Sequence, residues 1–159
     1  MAMKIEAFRK KNNQAFPMKT DGSLKLFFIG AGSAFSKLQC QTNLLVLKGE
    51  THLLIDCGTK CPQAMWEFGL GVTAIRNLLV THSHADHIGG LEECALMGRY
   101  FARTKPRLII TEDYQKILWE MSLKGGIAFG ELVNGRCLEF EDLFEPIRPI
   151  PSYAFSRQA

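Results

Sequence analysis

Thr81-His82-Ser83-His84-Ala85-Asp86-His87-Ile88-Gly89-Gly90 concentrates the chemistry of this chain. Three of the four histidines lie within six positions, with an aspartate directly before the last of them. Neutral imidazole and carboxylate are donors that zinc and similar divalent ions prefer. The residues before this stretch, Asn77 to Thr81, read as a short strand. A strand end followed by a tight polar loop can aim several side chains into one cavity. A polar loop that merely happens to be rich in histidine is the bland alternative, and packing alone rarely needs such local enrichment.

Outward from this stretch the pattern is that of an α/β domain. Leu24 to Gly30 (LKLFFIG) reads as a buried strand running into the small-residue loop Gly30-Ala-Gly-Ser-Ala-Phe35. Thr42 to Lys48 and His52 to Ile55 read as two strands joined by a hairpin turn at Gly49-Glu50. Pro62 sits where a helix start tolerates proline, and Gly69 and Gly71 end that helix. Ile88 to about Ala102 reads as the next helix, followed by a strand at Arg107 to Ile110. Thr111 can cap a further helix, with Glu112 and Asp113 in its first turn. Tyr114, Ile117, Leu118 and Met121 share one face of it, and Gly125-Gly126 are expected to stop it. Cys137 to Phe140 reads as a strand, and Pro146, Pro149 and Pro151 as breakers of regular structure.

Composition excludes several classes. With 47% hydrophobic and 22% charged residues the chain is neither disordered nor fibrous. No apolar run approaches the roughly 20 residues of a membrane span. The first residues, MAMKIEAFRKKNNQ, have scattered charges and no apolar core, so they do not read as a secretory signal. Five cysteines at irregular spacing do not form a disulfide framework, and reduced thiols in the cytoplasm are the expectation. Cys57 and Cys61 could start a zinc clip but have no second pair to complete it. Residues 1–23 read as an N-terminal extension and 24–159 as the domain. Lys4, Arg9, Lys10, Lys11 and Lys19 near the start read as a solvated end, with a nucleic-acid-binding arm as the alternative.

H-x-H-x-D-H after a short strand, followed by Gly-Gly, resembles the metallo-β-lactamase superfamily. Leu54-Ile-Asp-Cys-Gly-Thr59 resembles that family's strand ending in aspartate and glycine. Ile29-Gly-Ala-Gly-Ser-Ala-Phe35, with Gln41-Thr-Asn-Leu-Leu-Val46, resembles the opening of its ribonuclease Z and phosphodiesterase branch. The resemblance implies that His82 and His84 are ligands of a first divalent metal ion, and Asp86 and His87 of a second, zinc or manganese. It implies that Asp86 also holds the attacking water as general base. Asp56 then steadies the ligands from behind. The activity implied is hydrolysis of a phosphodiester, in RNA or a cyclic nucleotide. A thioester hydrolase of the glyoxalase II type uses the same loop.

The family's remaining ligands, two histidines and a bridging aspartate, come from the second half of its fold. Here no histidine follows His87, and Asp113 and Asp142 are the only later aspartates. Asp113 reads as a first-turn helix residue, and Asp142 lies in an acidic run without a matching context. Each metal would therefore have two protein ligands, one short of the usual catalytic three. The expectation is the first βαβα half of an αββα sandwich, with one sheet face left bare. A second half, or a homodimer joining two His loops, would complete it. A non-catalytic assembly module derived from such an enzyme is the rival reading. His52, mid-strand, reads as packing or an exposed face rather than a ligand.

Overall fold

The structure is a computed structural model that describes residues 16–150. Six strands form one sheet: β1 (Leu24–Gly30), β2 (Asn43–Lys48), β3 (Thr51–Ile55), β4 (Asn77–Leu79), β5 (Arg107–Ile109) and β8 (Glu145–Ile147). Their order is β1-β2-β3-β4-β5-β8. The first three run antiparallel, and β3, β4, β5 and β8 run parallel. A separate hairpin joins β6 (Leu132–Val133) to β7 (Arg136–Cys137). The helices are α1 (Cys61–Glu67), α2 (Ala85–Ile88), α3 (Leu91–Met97), α4 (Glu112–Leu118), α5 (Lys124–Ile127) and α6 (Phe140–Leu143).

Alternation along the strands divides the sheet into two unlike faces. Leu45, Leu54, Leu78 and Leu108 are neighbours across β2, β3, β4 and β5, and all are fully buried in the core. Cys61, Ala64, Met65, Leu91, Cys94, Ala95 and Leu118 from the helices join the same core. The opposite face carries an unbroken apolar row across all six strands: Phe28, Leu44, Ile55, Leu79, Ile109 and Ile147. Leu26, Val46 and Leu53 form a second row beside it. These residues stay half-buried or exposed, and Leu26 is 57% exposed. The described residues thus cover one face and leave the other open, as expected for half of a sandwich.

Residues 16–23 lie against the sheet. Phe16 is buried and stacks on Phe27 at 4.4 Å, and Thr20 binds the Gly49 turn through its amide and its hydroxyl. Lys19 pairs with Glu50. The basic residues 4–11, and Pro151, lie outside the described residues.

Several elements differ from the sequence reading. The helix expected from Ile88 begins at Ala85, then breaks at Gly89-Gly90 before α3. Both glycines pass so close to the Cys57–Thr59 backbone and side chains that a Cβ would overlap them. Helix α3 ends at Met97 and widens into a π turn over Gly98–Ala102. Helix α4 widens likewise over Trp119–Leu123, which rotates the apolar stripe. Leu118, Trp119 and Leu123 are buried, whereas Met121 within the widened turn, and Ile117 ahead of it, face outward. Gly125-Gly126 do not stop the helix but lie inside α5, Gly126 packing against Glu92. Phe140 starts α6 rather than ending a strand, because Glu139 and Asp142 form a capping box. Pro146 sits inside β8, tolerated there because β8 is an edge strand.

Candidate metal centre

β3 ends at Ile55, and the chain turns through a left-handed Asp56 (φ 62°). This conformation is uncommon outside glycine, though aspartate and asparagine accept it more readily than most. The Asp56 amide donates to the Leu79 carbonyl at 2.8 Å, which fixes the turn across to β4. Its buried carboxylate then meets the start of the histidine segment. The Thr81 amide donates to Oδ1 at 2.8 Å, and the Thr81 hydroxyl lies 2.9 and 3.0 Å from its two oxygens. His87 Nδ1 lies 2.7 Å from Oδ2.

Residues 56–59 and 85–90 interlock through the backbone. The Cys57 amide donates to the His87 carbonyl (2.7 Å), the Gly90 amide to the Cys57 carbonyl (2.8 Å), and the Thr59 amide to Ala85 (3.2 Å). Gly58 is required here, since a Cβ would collide with the Asp86 carbonyl. Fully buried Asn43 completes the lock by accepting from the Gly58 amide at 2.8 Å. Asp86 and His87 therefore ride on the rigid turn α2 rather than on the loop expected for them.

The four predicted donors gather at one edge, beyond the C-terminal ends of β3 and β4. His82 Nε2 lies 2.9 Å from His84 Nδ1, and the His82 and His87 rings are 3.9 Å apart. His87 Nε2 lies 3.2 Å from Asp86 Oδ2. With Nδ1–H given to Asp56, the Nε2 lone pair of His87 faces a carboxylate. Two acceptors at that distance need a proton or a cation between them. The chemistry of the set fits divalent cations such as zinc or manganese. The number is short: among the described residues no three His, Cys, Asp or Glu side chains are arranged to hold one ion.

Two neighbours were not legible as site residues. Thr81 links Asp56 to His82 (3.1 Å to Nδ1) and His87 (3.4 Å). Tyr114, which the helical pattern assigns to packing, places its hydroxyl 2.9 Å from Ser83 Oγ between the two leading histidines. Burial, helped by the charge of Asp56, pushes the Tyr114 phenol up despite its bond to Ser83.

The other candidates lie elsewhere. His52 accepts the Arg76 amide at Nε2 (2.7 Å), and burial with the Arg76 charge holds its pKa below the ordinary value. Cys57 faces Cys94 at 3.6 Å between sulfurs. Hydrogen bonding to Cys61, with burial, pushes the Cys57 thiol well above its usual range. These are packed thiols, and no metal-holding trio includes them among the described residues. Asp113 is a first-turn residue of α4, with Thr111 as its cap. Asp142 pairs with Arg136 at 2.6 Å, which holds its carboxyl down to about 2.

A family model described as "Anti-Pycsar protein Apyc1" matches residues 24–158. The chain belongs to this family. A curated Apyc1 relative from Paenibacillus sp. (strain J14) is 42% identical over 106 residues, which is 67% of this chain and 43% of the relative. Another, from Bacillus phage vB_BsuM-Goe3, is 39% identical over 122 residues, 76% of this chain and 46% of the relative. The chain thus spans less than half the length of these Apyc1 relatives. Among solved structures, the metallo-beta-lactamase fold protein YhfI from Bacillus subtilis superposes with a TM-score of 0.58 at 15% identity. That match covers 80% of this chain and 46% of YhfI. Human tRNase Z, short form, gives 0.54 at 18% identity, covering 77% of this chain and 42% of that one. A diphosphatase from the PhnP family gives 0.54 at 15%, covering 80% and 51%. At such identities the likeness establishes the metallo-β-lactamase fold of this Apyc1-family chain, over about half of each neighbour.

Proposed function

We propose that this chain carries the first half of a dinuclear metal site for phosphodiester hydrolysis, with a cyclic nucleotide or RNA as substrate class. The observation that carries the reading is the fixed arrangement in which buried Asp56 orients His87, beside Asp86, within reach of His82 and His84. His82 and His84 would hold one ion, and Asp86 and His87 the other. When bound, two divalent ions, zinc or manganese, acidify a water and neutralise charge on the phosphoryl oxygens. Asp86 would orient that water and take its proton. Asp56, by accepting from His87 Nδ1, would keep Nε2 free as the donor and raise its basicity.

Two ligands per ion leave the centre incomplete. Completion from a second polypeptide segment, or from a second copy of the chain, supports activity only in the assembled state. The open apolar row is the surface on which that assembly would seat. The non-catalytic module remains a second reading, favoured by the absence of a third donor among the described residues. No helix of the described residues is long and apolar enough to cross a membrane. Five free cysteines fit a cytoplasmic setting.

The test compares hydrolysis of cyclic nucleotides, bis-(p-nitrophenyl) phosphate and a glutathione thioester by zinc- or manganese-loaded protein, with Asp86→Asn as control. Phosphodiester turnover lost in Asp86→Asn is the expected result. Thioester turnover alone would move the reading to the glyoxalase II type. Inactivity on every ester, with metal bound and assembly confirmed, would establish the module instead.

A further inference from the structure

A cavity opens on the side of the sheet away from the histidine cluster. Strands β5 and β8 run parallel, so the residues before them lie opposite Thr111 and Tyr114, which follow β5 on the metal-centre side. The cavity, of about 320 Å³, is lined by Arg99, Tyr100, Arg103, Thr104, Lys105, Glu131 and Asp142.

Its charges are unequally satisfied. Both carboxylates are already engaged. Glu131 pairs with Arg99, and Asp142 takes Arg136 and the Glu139 amide (2.8 Å). Arg99 is further anchored on the Asp142 carbonyl at 3.1 Å, so its guanidinium is held in place. Lys105 rests its ammonium on the Glu141 carbonyl at 2.6 Å, with no ion pair among the described residues. Arg103 makes no ion pair or side-chain hydrogen bond to the described residues. Arg103 and Lys105 therefore bring two unmatched charges to one concavity whose acids are already paired, with Arg99 held beside them by Glu131 and the Asp142 carbonyl.

The backbone points the same way. Arg103 closes the π turn Gly98–Ala102 in the left-handed region, at φ 56° and ψ 36°. Glycine is the ordinary residue at such a C-terminal position, because a Cβ is disfavoured there. An arginine kept in that conformation, with no partner among the described residues, fits a role for its side chain. Local backbone strain of this kind clusters at ligand clamps.

We propose that this cavity is an anion site for a phosphoryl group, held by Arg103 and Lys105 with Arg99 as a preorganised third cation. Guanidinium and ammonium groups match phosphate oxygens in charge and hydrogen-bonding geometry. The site is separate from the histidine cluster and independent of its chemistry.

The test is a titration of the whole chain with inorganic pyrophosphate, in excess chelator so that no metal at the histidines contributes. Amide shifts read by NMR report the location. Saturable shifts at Arg99–Lys105, with none at His82–His87, are expected. ADP is the second probe: equal affinity means phosphoryl recognition alone, and tighter binding means a nucleotide, both supporting the site. Arg103→Gly relieves the left-handed strain, so its Tm should match or exceed wild type while Kd rises about tenfold. Lys105→Gln, which leaves the backbone alone, should weaken binding similarly. Absence of shifts at residues 99–105 in wild type, or unchanged Kd in both variants, would overturn the proposal.

Discussion

At the residue scale, Asp56 has the most dependants. It accepts from Thr81 and His87 in a buried position, so Asp56→Asn puts a donor where an acceptor is needed. Zinc affinity should fall about 10- to 100-fold, the usual cost of removing an outer partner of a ligand histidine. Competition against a chromophoric chelator measures this, and an unchanged affinity would remove Asp56 from the site. His52 gives a different signature. Its pKa is lowered in the fold, so the folded state binds fewer protons than the unfolded state near and below pH 6.5. Its stabilisation is present above the unfolded value and is lost as pH falls through the folded one. Urea midpoints should therefore drop on acidification, and His52→Gln should flatten that part of the profile. The four candidate donors could be picked out because they crowd into one short segment. Thr81 and Tyr114 were not, since a threonine at a strand end and a tyrosine on a helix face carry no local mark. Only the tertiary approach of α4 to Ser83 gives Tyr114 a polar task.

Elements show where local pattern stops being informative. The hairpin β2–β3, Pro62 at the start of α1 and the Thr111 cap follow from adjacent residues, and each stands where the sequence places it. The π turns do not, because nothing in Gly98–Ala102 or Trp119–Leu123 differs from ordinary helical composition. Their effect is large: one added residue per turn moves Met121 from the expected core to 83% exposure. Strand β8 was hidden by its proline, whose missing amide matters little on an edge. At Gly58 the constraint is close approach. Gly58→Ala should cost about 1–3 kcal/mol by forcing residues 56–59 away from Asp86. Thr111→Ala should cost about 1 kcal/mol through loss of the cap. Urea unfolding would compare the two, and a neutral Gly58→Ala would mean that the interlock is looser than its hydrogen bonds imply.

For the whole molecule, the two sheet faces decide behaviour. The helix-covered face is a closed core, while the row from Phe28 to Ile147 offers a continuous apolar surface from edge to edge. Protein with this face uncovered should associate at micromolar concentration. Leu26→Lys, at a site already 57% exposed, should shift light scattering toward the monomer without lowering Tm. Association unaffected by that charge would place the contact elsewhere. The half-sandwich was legible because the strand order and the histidine motif belong together. What covers the open face was not, since an apolar row fits a further segment and a second copy of the chain alike. The central claim, that His82, His84, Asp86 and His87 form half of a dinuclear centre, is tested most directly by zinc content. It would be measured by elemental analysis on monomer and assembly, for wild type and for His84→Ala/His87→Ala. Stoichiometric zinc in the wild-type assembly, weak occupancy in the monomer and loss in the double variant is the predicted result. Equal zinc in wild type and double variant would contradict it.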